Sequence, residues 1–254
     1  MATETRLPDE HPWLSIVIPA KNESGNIELV VEGIVAACAA HAPYEIIYVD
    51  DGSTDDTAAK VREMAAIYPF VRLIQHETSG GQSAAVHSGV LAARGTVIAT
   101  LDADGQNPPS EIPKLIEKID GRAFPEDVAL VAGQRVGRQD TASKRWASKA
   151  ANAIRARLLK DGTRDTGCGL KLFRRDAFLA FPYFDHMHRY LPALAARDGW
   201  TVLHADVSHA PRHAGSSQYS NLGRAIVGVY DLVGVVWLLK RRKKVRGVEM
   251  RGEG

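Results

Sequence analysis

Short apolar runs alternate with helix-patterned stretches over the first hundred residues of this 254-residue chain, and acids cluster just after several of those runs. Leu14 to Ile18 reads as a buried strand that stops at Pro19. Ile27, Val30, Val31, Ile34, Val35 and Cys38 then recur at helical spacing between about Asn26 and Ala40. Tyr44 to Val49 is a second strand running into Asp50 and Asp51. Ser53 or Thr54 can cap the next helix, which places Ala58, Val61, Met64 and Ala65 on one face. Val71 to Ile74 is a third strand, Ala84 to Ala93 a helix, and Val97 to Leu101 a fourth strand that meets Asp102. This alternation predicts an α/β fold with a mostly parallel central sheet flanked by helices. In such sheets ligands collect at the carboxyl ends of the strands. Three acid-containing loops lie at those ends.

The second half is less regular. Val128 to Gly133, Leu170 to Phe173 and Thr201 to Val207 read as strands, Ser143 to Leu159 and Arg189 to Ala196 as helical. A long helix runs from about Tyr219. The implied organisation is a tail over residues 1–12, an α/β domain over 13–220, and a membrane-associated C-terminal amphipathic helix with a basic tail over 221–254. Two isolated cysteines, Cys38 and Cys168, make no disulfide framework and point to a reducing compartment. Lys240 to Arg246 holds six basic residues; with an overall net charge of +2, the rest of the chain carries −4. An acidic body with a basic end argues against nucleic acid and suits a protein held at one point near anionic lipid. A solvated, frayed tail would account for the same residues.

The densest chemistry is in Leu101-Asp102-Ala103-Asp104-Gly105-Gln106-Asn107-Pro108-Pro109. Two carboxylates one residue apart at a strand end can aim at one hard cation, magnesium or manganese, shared with phosphate oxygens. An acidic turn capping a helix would explain a bare Asp-x-Asp; the strand context favours the cation. Asp50-Asp51-Gly52-Ser53-Thr54-Asp55 can accept hydrogen bonds from a base or ribose, or simply start a helix. Pro19-Ala20-Lys21-Asn22-Glu23 can close the other side of a base pocket. Ser79-Gly80-Gly81-Gln82-Ser83 has neither the Walker spacing nor GxGxxG, so it reads as a loop passing close to a ligand, not as a phosphate cradle of either kind.

Ser15-Ile16-Val17-Ile18-Pro19, Val49-Asp50-Asp51-Gly52-Ser53-Thr54-Asp55 and Asp102 to Pro109 occur in order, and together resemble the inverting family 2 glycosyltransferases of GT-A fold. The Gln-Asn-Pro-Pro extension resembles the polyprenyl-phosphate and dolichyl-phosphate sugar synthases of that family. The resemblance covers roughly residues 14 to 220. It implies that Pro19, Ala20, Glu23, Asp50, Asp51 and Gly81 face the nucleotide sugar, with Arg212 in a loop closing over its phosphates. It implies a metal and diphosphate site at Asp102, Asp104 and Gln106, and an acid near the reacting centre at Asp165. Arg135, Lys144 or Arg145, and Ser148 with Asn152 match positions that receive the lipid phosphate. Where the family usually has Lys in the closing loop, this chain has Gln218.

Without the resemblance, the basic residues of the 143–159 helix would read as a solvated face. His186-Met187-His188 is a poor metal pair at that spacing and reads instead as a determinant of acceptor access or donor specificity. His188 to Pro192 and Asp231 to Val235 resemble bacterial synthases that load galacturonate or related sugars, which implies a uridine diphosphate donor. Ala225 to Leu239, broken by Asp231, is shorter than the roughly twenty apolar residues a spanning helix needs. Trp237 beside the basic tail is the pattern of a helix lying in the headgroup region. The expected partners are a nucleotide-sugar donor, a polyprenyl phosphate, the cytoplasmic face of the inner or plasma membrane and, in a homo-oligomer, a second copy of the chain. The competing readings are a glycosyltransferase with a soluble or polysaccharide acceptor, and a non-catalytic nucleotide-sugar-binding scaffold.

Overall fold

The apolar runs become the strands of one sheet in the computed structural model, which describes residues 11–136, 155, 157–159, 161–210 and 221–241. In chain order the elements are β1 (Leu14–Ala20), α1 (Ile27–Cys38), β2 (Tyr44–Asp50), α2 (Thr57–Ile67), β3 (Val71–Gln75), α3 (Gln82–Ala92), β4 (Val97–Thr100) and α4 (Ile112–Ile116). There follow β5 (Val128–Arg135), β6 (Lys171–Arg174), α5 (Arg175–Ala180), α6 (Leu191–Arg197), β7 (Thr201–Val207) and α7 (Asn221–Lys240). The seven strands lie in the order β3-β2-β1-β4-β6-β5-β7, and only β6 runs against its neighbours.

Alternation along the strands sorts the core into two layers. Leu14, Ile16 and Ile18 of β1 pack with Ile27, Val30, Ile34 and Val61 of α1 and α2 and with Ile112 of α4. Val17, Ile47 and Val49 face the other way, onto Ala85, Val86 and Val90 of α3, Phe178 of α5 and Leu194 of α6. Helices therefore cover both faces, which is why the central strands are buried on both sides and mostly apolar.

Chain direction fixes where a ligand can bind. From β1 the chain winds outward through β2 and β3, then returns to place β4 on the opposite side of β1. The crevice between the carboxyl ends of β1 and β4 is thus a topological switch point. β1 continues through Pro19 instead of stopping there. The Ala20 carbonyl accepts the Asp51 N–H on the β2 side (2.8 Å), so the nitrogen of Pro19 faces β4. Pairing of β1 with β4 has already ended at Val17↔Thr100, and the missing N–H costs no ladder bond.

The cap of α2 corrects the sequence reading. Neither Ser53 nor Thr54 caps it; Asp55 Oδ1 accepts from the backbone N–H (3.0 Å) and hydroxyl (2.5 Å) of Thr57. Ser53 Oγ instead accepts the N–H of Asn22, and Thr54 N–H donates to Asn22 Oδ1, so this turn is stitched to the loop after β1. The 143–159 helix falls mostly outside the described residues, as do residues 1–10, the 211–220 loop and the tail from 242.

One side of α7 packs through Leu232, Val235, Val236 and Leu239 against Tyr190 and Ala193. Its other side leaves Val229, Tyr230, Val233 and Trp237 exposed, at positions that fall on one stripe of the helix. No helix among the described residues is long and apolar enough to cross a membrane.

Candidate active site

Asp102 sits two residues past the end of β4, in the switch-point crevice, and is held from three sides. Gln82, the first residue of α3, donates its amide to Oδ1 (2.8 Å), and Asn107 donates to Oδ2 (2.8 Å). Behind the carboxylate lies Gly169, where a Cβ would stand 2.2 Å from Oδ2; only glycine leaves the space. Burial first, and the charge of Asp104 second, push the Asp102 carboxyl above its usual range. Asp104 is buried, and its Oδ1 accepts the N–H of Gln106 (3.0 Å). Gln106 enters the network through its backbone, its carbonyl accepting from Ala210 N–H (3.0 Å) just past β7.

Among the described residues, no three His, Cys, Asp or Glu side chains form a cluster able to hold a metal on their own. A magnesium-type site requires less, because one or two carboxylates bind while substrate phosphates and water complete the shell. Asp102 and Asp104, with the space that Gly169 keeps open, fit that donor set.

Three further ionic groups surround Asp102. Lys171 is buried (4% exposed) and donates to the Cys168 carbonyl; burial pulls its pKa down. Arg135 and Asp165 form a two-pronged pair, Nε to Oδ2 at 2.6 Å and Nη2 to Oδ1 at 2.9 Å. Burial opposes the guanidinium charge, but the Asp165 carboxylate outweighs it and raises the Arg135 pKa. Gln134 Oε1 accepts the N–H groups of both Arg164 and Asp165 (2.8 and 3.0 Å), fixing this segment to β5.

Asp51 organises the loop before α3. Its carboxylate accepts from His76 Nδ1 (2.7 Å), the Ser79 hydroxyl (2.7 Å) and the N–H groups of Gly80 (2.8 Å) and Gly81 (2.9 Å). Burial works against the charge, yet these donors together hold the pKa below the usual aspartate value. Gly81 adopts φ 84°, a conformation that suits glycine, and lets the chain turn into α3 directly behind Gln82. Asp50 accepts from Ser53 N–H and Gln75, and Glu23 from Asn26 Nδ2. Both Asp50 and Asp51, read from sequence as nucleoside-facing, are thus engaged with the chain's own donors.

A cavity of about 290 Å³, counting its open mouth, lies beside Asp102 and is lined also by Pro19, Gln82, Lys171 and His188. The sequence-derived residues Asp102, Asp104, Arg135 and Asp165 come together here, with Pro19 on the cavity wall. Lys144, Arg145, Ser148, Asn152, Arg212 and Gln218 lie outside the described residues. Sequence reasoning missed the two amides that grip Asp102, the role of Gly169, and Lys171. The last had a signal: a lone charge in the apolar run Leu170-Lys171-Leu172-Phe173.

The sheet order, the acid-ended strands and the switch-point crevice define a GT-A type fold. Solved structures share it. The mannosyltransferase from Pyrobaculum calidifontis, in complex with GDP-Man and Mn2+, superposes with TM-score 0.65 at 20% identity, covering 94% of this chain and 67% of that one. Glucosyl-3-phosphoglycerate synthase from Mycobacterium tuberculosis, in complex with Mn2+, uridine diphosphate and phosphoglyceric acid, gives 0.66 at 18%, covering 92% and 80%. The chain belongs to glycosyl transferase family 2, whose model matches residues 15–180. Among curated relatives, the undecaprenyl-phosphate 4-deoxy-4-formamido-L-arabinose transferase of Pectobacterium carotovorum is 36% identical over 228 residues, 89% of this chain and 68% of the relative. The protein of the same name from Sodalis glossinidius is 36% identical over 223 residues, covering 87% and 66%. The chain spans about two thirds of the length of these relatives.

Proposed function

We propose that this protein is an inverting glycosyltransferase that moves a sugar from a uridine-diphosphate donor to a polyprenyl phosphate, working peripherally at the cytoplasmic face of a membrane. The observation that carries the reading is the fixed, space-cleared carboxylate of Asp102 beside Asp104 at the switch point. The acceptor is argued from relatives, 36% identical, that are named as undecaprenyl-phosphate transferases.

In this reading the nucleoside lies against Pro19, Ala20, Glu23, Asp50 and Asp51, with Gly81 and Arg212 toward the phosphates. A bound divalent cation would neutralise charge gathering on the departing diphosphate, and Asp102, Asp104 and Gln106 would hold it. The lipid phosphate oxygen attacks the anomeric carbon, the bond to the diphosphate oxygen breaks, and configuration inverts. A phosphate monoester with a second pKa of about 6 is already largely ionised, so no general base is required. Asp165, paired to Arg135 through both oxygens, orients that guanidinium toward the acceptor phosphate and does not take a proton. Lys144, Arg145 and Ser148 would complete the acceptor site.

The exposed stripe on α7, with Arg241 stacked over Trp237 at 5.8 Å, supports docking in the headgroup layer. The test is incorporation: purified protein, Mn2+, a panel of radiolabelled nucleotide sugars and undecaprenyl phosphate in detergent. Label should move into the organic-extractable fraction with one donor. Label transferred only to soluble sugars, or donor never consumed, would contradict the proposal.

A further inference from the structure

Two features of the sequence have no part in the chemistry above: Asp231, the one acid in the apolar run of α7, and the His186-Met187-His188 motif. They meet. His186 Nδ1 lies 3.0 Å from Asp231 Oδ2, and its Nε2 lies 3.7 Å from Asp185 Oδ2. The Asp231 side chain is only 12% exposed, and its Oδ2 is shut from solvent with no hydrogen bond from the described residues aligned on it. The contact is thus ionic, and a carboxylate set against a packed helix face is costly unless a partner answers its charge. His186 has φ 65°, a left-handed conformation uncommon for a residue this bulky. Such strain persists where the surroundings hold it in place, and it clusters at functional sites.

While the His186 ring meets α7, the residues around it meet α3. Tyr183 stands edge-on to His87, with 5.0 Å between ring centroids. Asp185 lies 3.6 Å from where a Cβ on Gly81 would be. Ser83 Oγ accepts the His188 N–H (3.3 Å) and lies 2.7 Å from His188 Nδ1. Toward α7, the Tyr190 hydroxyl donates to the Gly228 carbonyl (3.5 Å), about one turn before Asp231, and Phe184 and Tyr190 pack with Val235. Residues 183–190 are therefore clamped between α7 and α3. Ser83 directly follows Gln82, whose amide holds Asp102 Oδ1.

We propose that His186 and Asp231 form a strut through which the position of α7 sets the grip on Asp102, so that docking α7 on anionic lipid tightens the metal and diphosphate site. His186 is then a positioning residue, acting on Asp102 through His188, Ser83 and Gln82. The inference rests on the readings above that α7 docks on a membrane and that Asp102 holds a cation with the donor's diphosphate. Packing alone would stabilise residues 183–190 without making the two binding events depend on each other. A strut makes them depend, because coupling between sites is carried by packed side chains and rigid elements.

The test is thermodynamic linkage in the 254-residue protein. Calorimetry measures uridine diphosphate binding in Mn2+, with and without vesicles of equal parts phosphatidylcholine and phosphatidylglycerol. Sedimentation measures vesicle affinity at the same Mn2+ concentration, with and without uridine diphosphate. Vesicles should tighten uridine diphosphate binding at least about fivefold, and uridine diphosphate should tighten vesicle binding by the same factor, because coupling is reciprocal. His186→Asn, which suits left-handed backbone, and Asp231→Asn should each still bind both partners singly while the coupling disappears. Asp231→Glu, which keeps the carboxylate, should retain most of it. If one of the two neutral variants fails to fold, the other decides. Coupling that survives these substitutions, or vesicle binding that leaves uridine diphosphate affinity unchanged, overturns the strut and leaves both earlier readings intact. A wild type that does not sediment overturns it together with the docking of α7. Failure of uridine diphosphate to bind overturns it together with the donor site.

Discussion

Replacing Gly169 by alanine separates the function of the Asp102 carboxylate from the stability of the fold. The φ of Gly169 lies outside the left-handed region, so alanine suits the backbone there. The added methyl would stand 2.2 Å from Oδ2 and 2.5 Å from Oδ1 of Asp102, whereas real Cβ contacts stay beyond 3.0 Å. The obstacle is the end of a side chain, so the carboxylate yields and not the sheet. Yielding breaks the bonds from Gln82 and Asn107, worth about 0.5–1.5 kcal/mol each in net stability. At roughly 2–4 °C per kcal/mol for a chain of this size, the melting temperature should fall by less than about 12 °C. Catalysis should suffer far more, because a shift approaching 1 Å in a positioning group costs on the order of 100-fold in rate, or about 2.7 kcal/mol. The assays are a thermal melt, turnover with undecaprenyl phosphate, and calorimetric titration of Mn2+ with uridine diphosphate. Gly234→Ala, where an added methyl meets nothing within 4 Å, serves as the control. A folded Gly169→Ala protein with near-normal turnover and metal-dependent affinity would refute the placement of Asp102 at the reacting centre.

Two other outcomes follow from the geometry. Asp51 has a folded pKa held below its usual value of 3.8, so its stabilisation is fully present above about pH 4 and is lost as the pH falls through the lower folded value. Asp51→Asn should therefore melt lower than wild type at pH 7, and the gap should narrow by pH 2.5; a gap constant with pH would show that the charge is not what holds residues 79–81. Replacing Tyr230 and Trp237 with serine should reduce sedimentation with anionic vesicles several-fold while detergent-solubilised turnover is kept, because both side chains are exposed. Unchanged sedimentation would remove α7 from the membrane contact.

The parallel part of the fold was legible because it rests on local pattern. The unbroken apolar run of β1 marks a strand buried on both faces, helical spacing in α1 fixes which side of that helix is buried, and Asp102 announces itself by following an apolar strand. What was not legible depends on contacts between distant segments. Gly169 meets Asp102 across 67 positions of sequence, and Ser83 meets His188 across 105, so no window of sequence could show either. The capping of α2 failed as a reading for a related reason: Ser53 and Thr54 are recruited by Asn22, 31 and 32 positions earlier. Lys171 was hidden by its neighbours, since an apolar run around a single lysine reads as strand before it reads as site.

The central claim is that Asp102 and Asp104 jointly hold a cation that tethers a diphosphate. Calorimetric titration of uridine diphosphate into the protein, with and without Mn2+, measures it most directly in wild type, Asp102→Asn and Asp104→Asn. Binding should require the metal in the wild type and weaken at least about tenfold in each variant while the protein stays folded. Metal-independent binding, or full metal-dependent affinity in both variants, would contradict the claim.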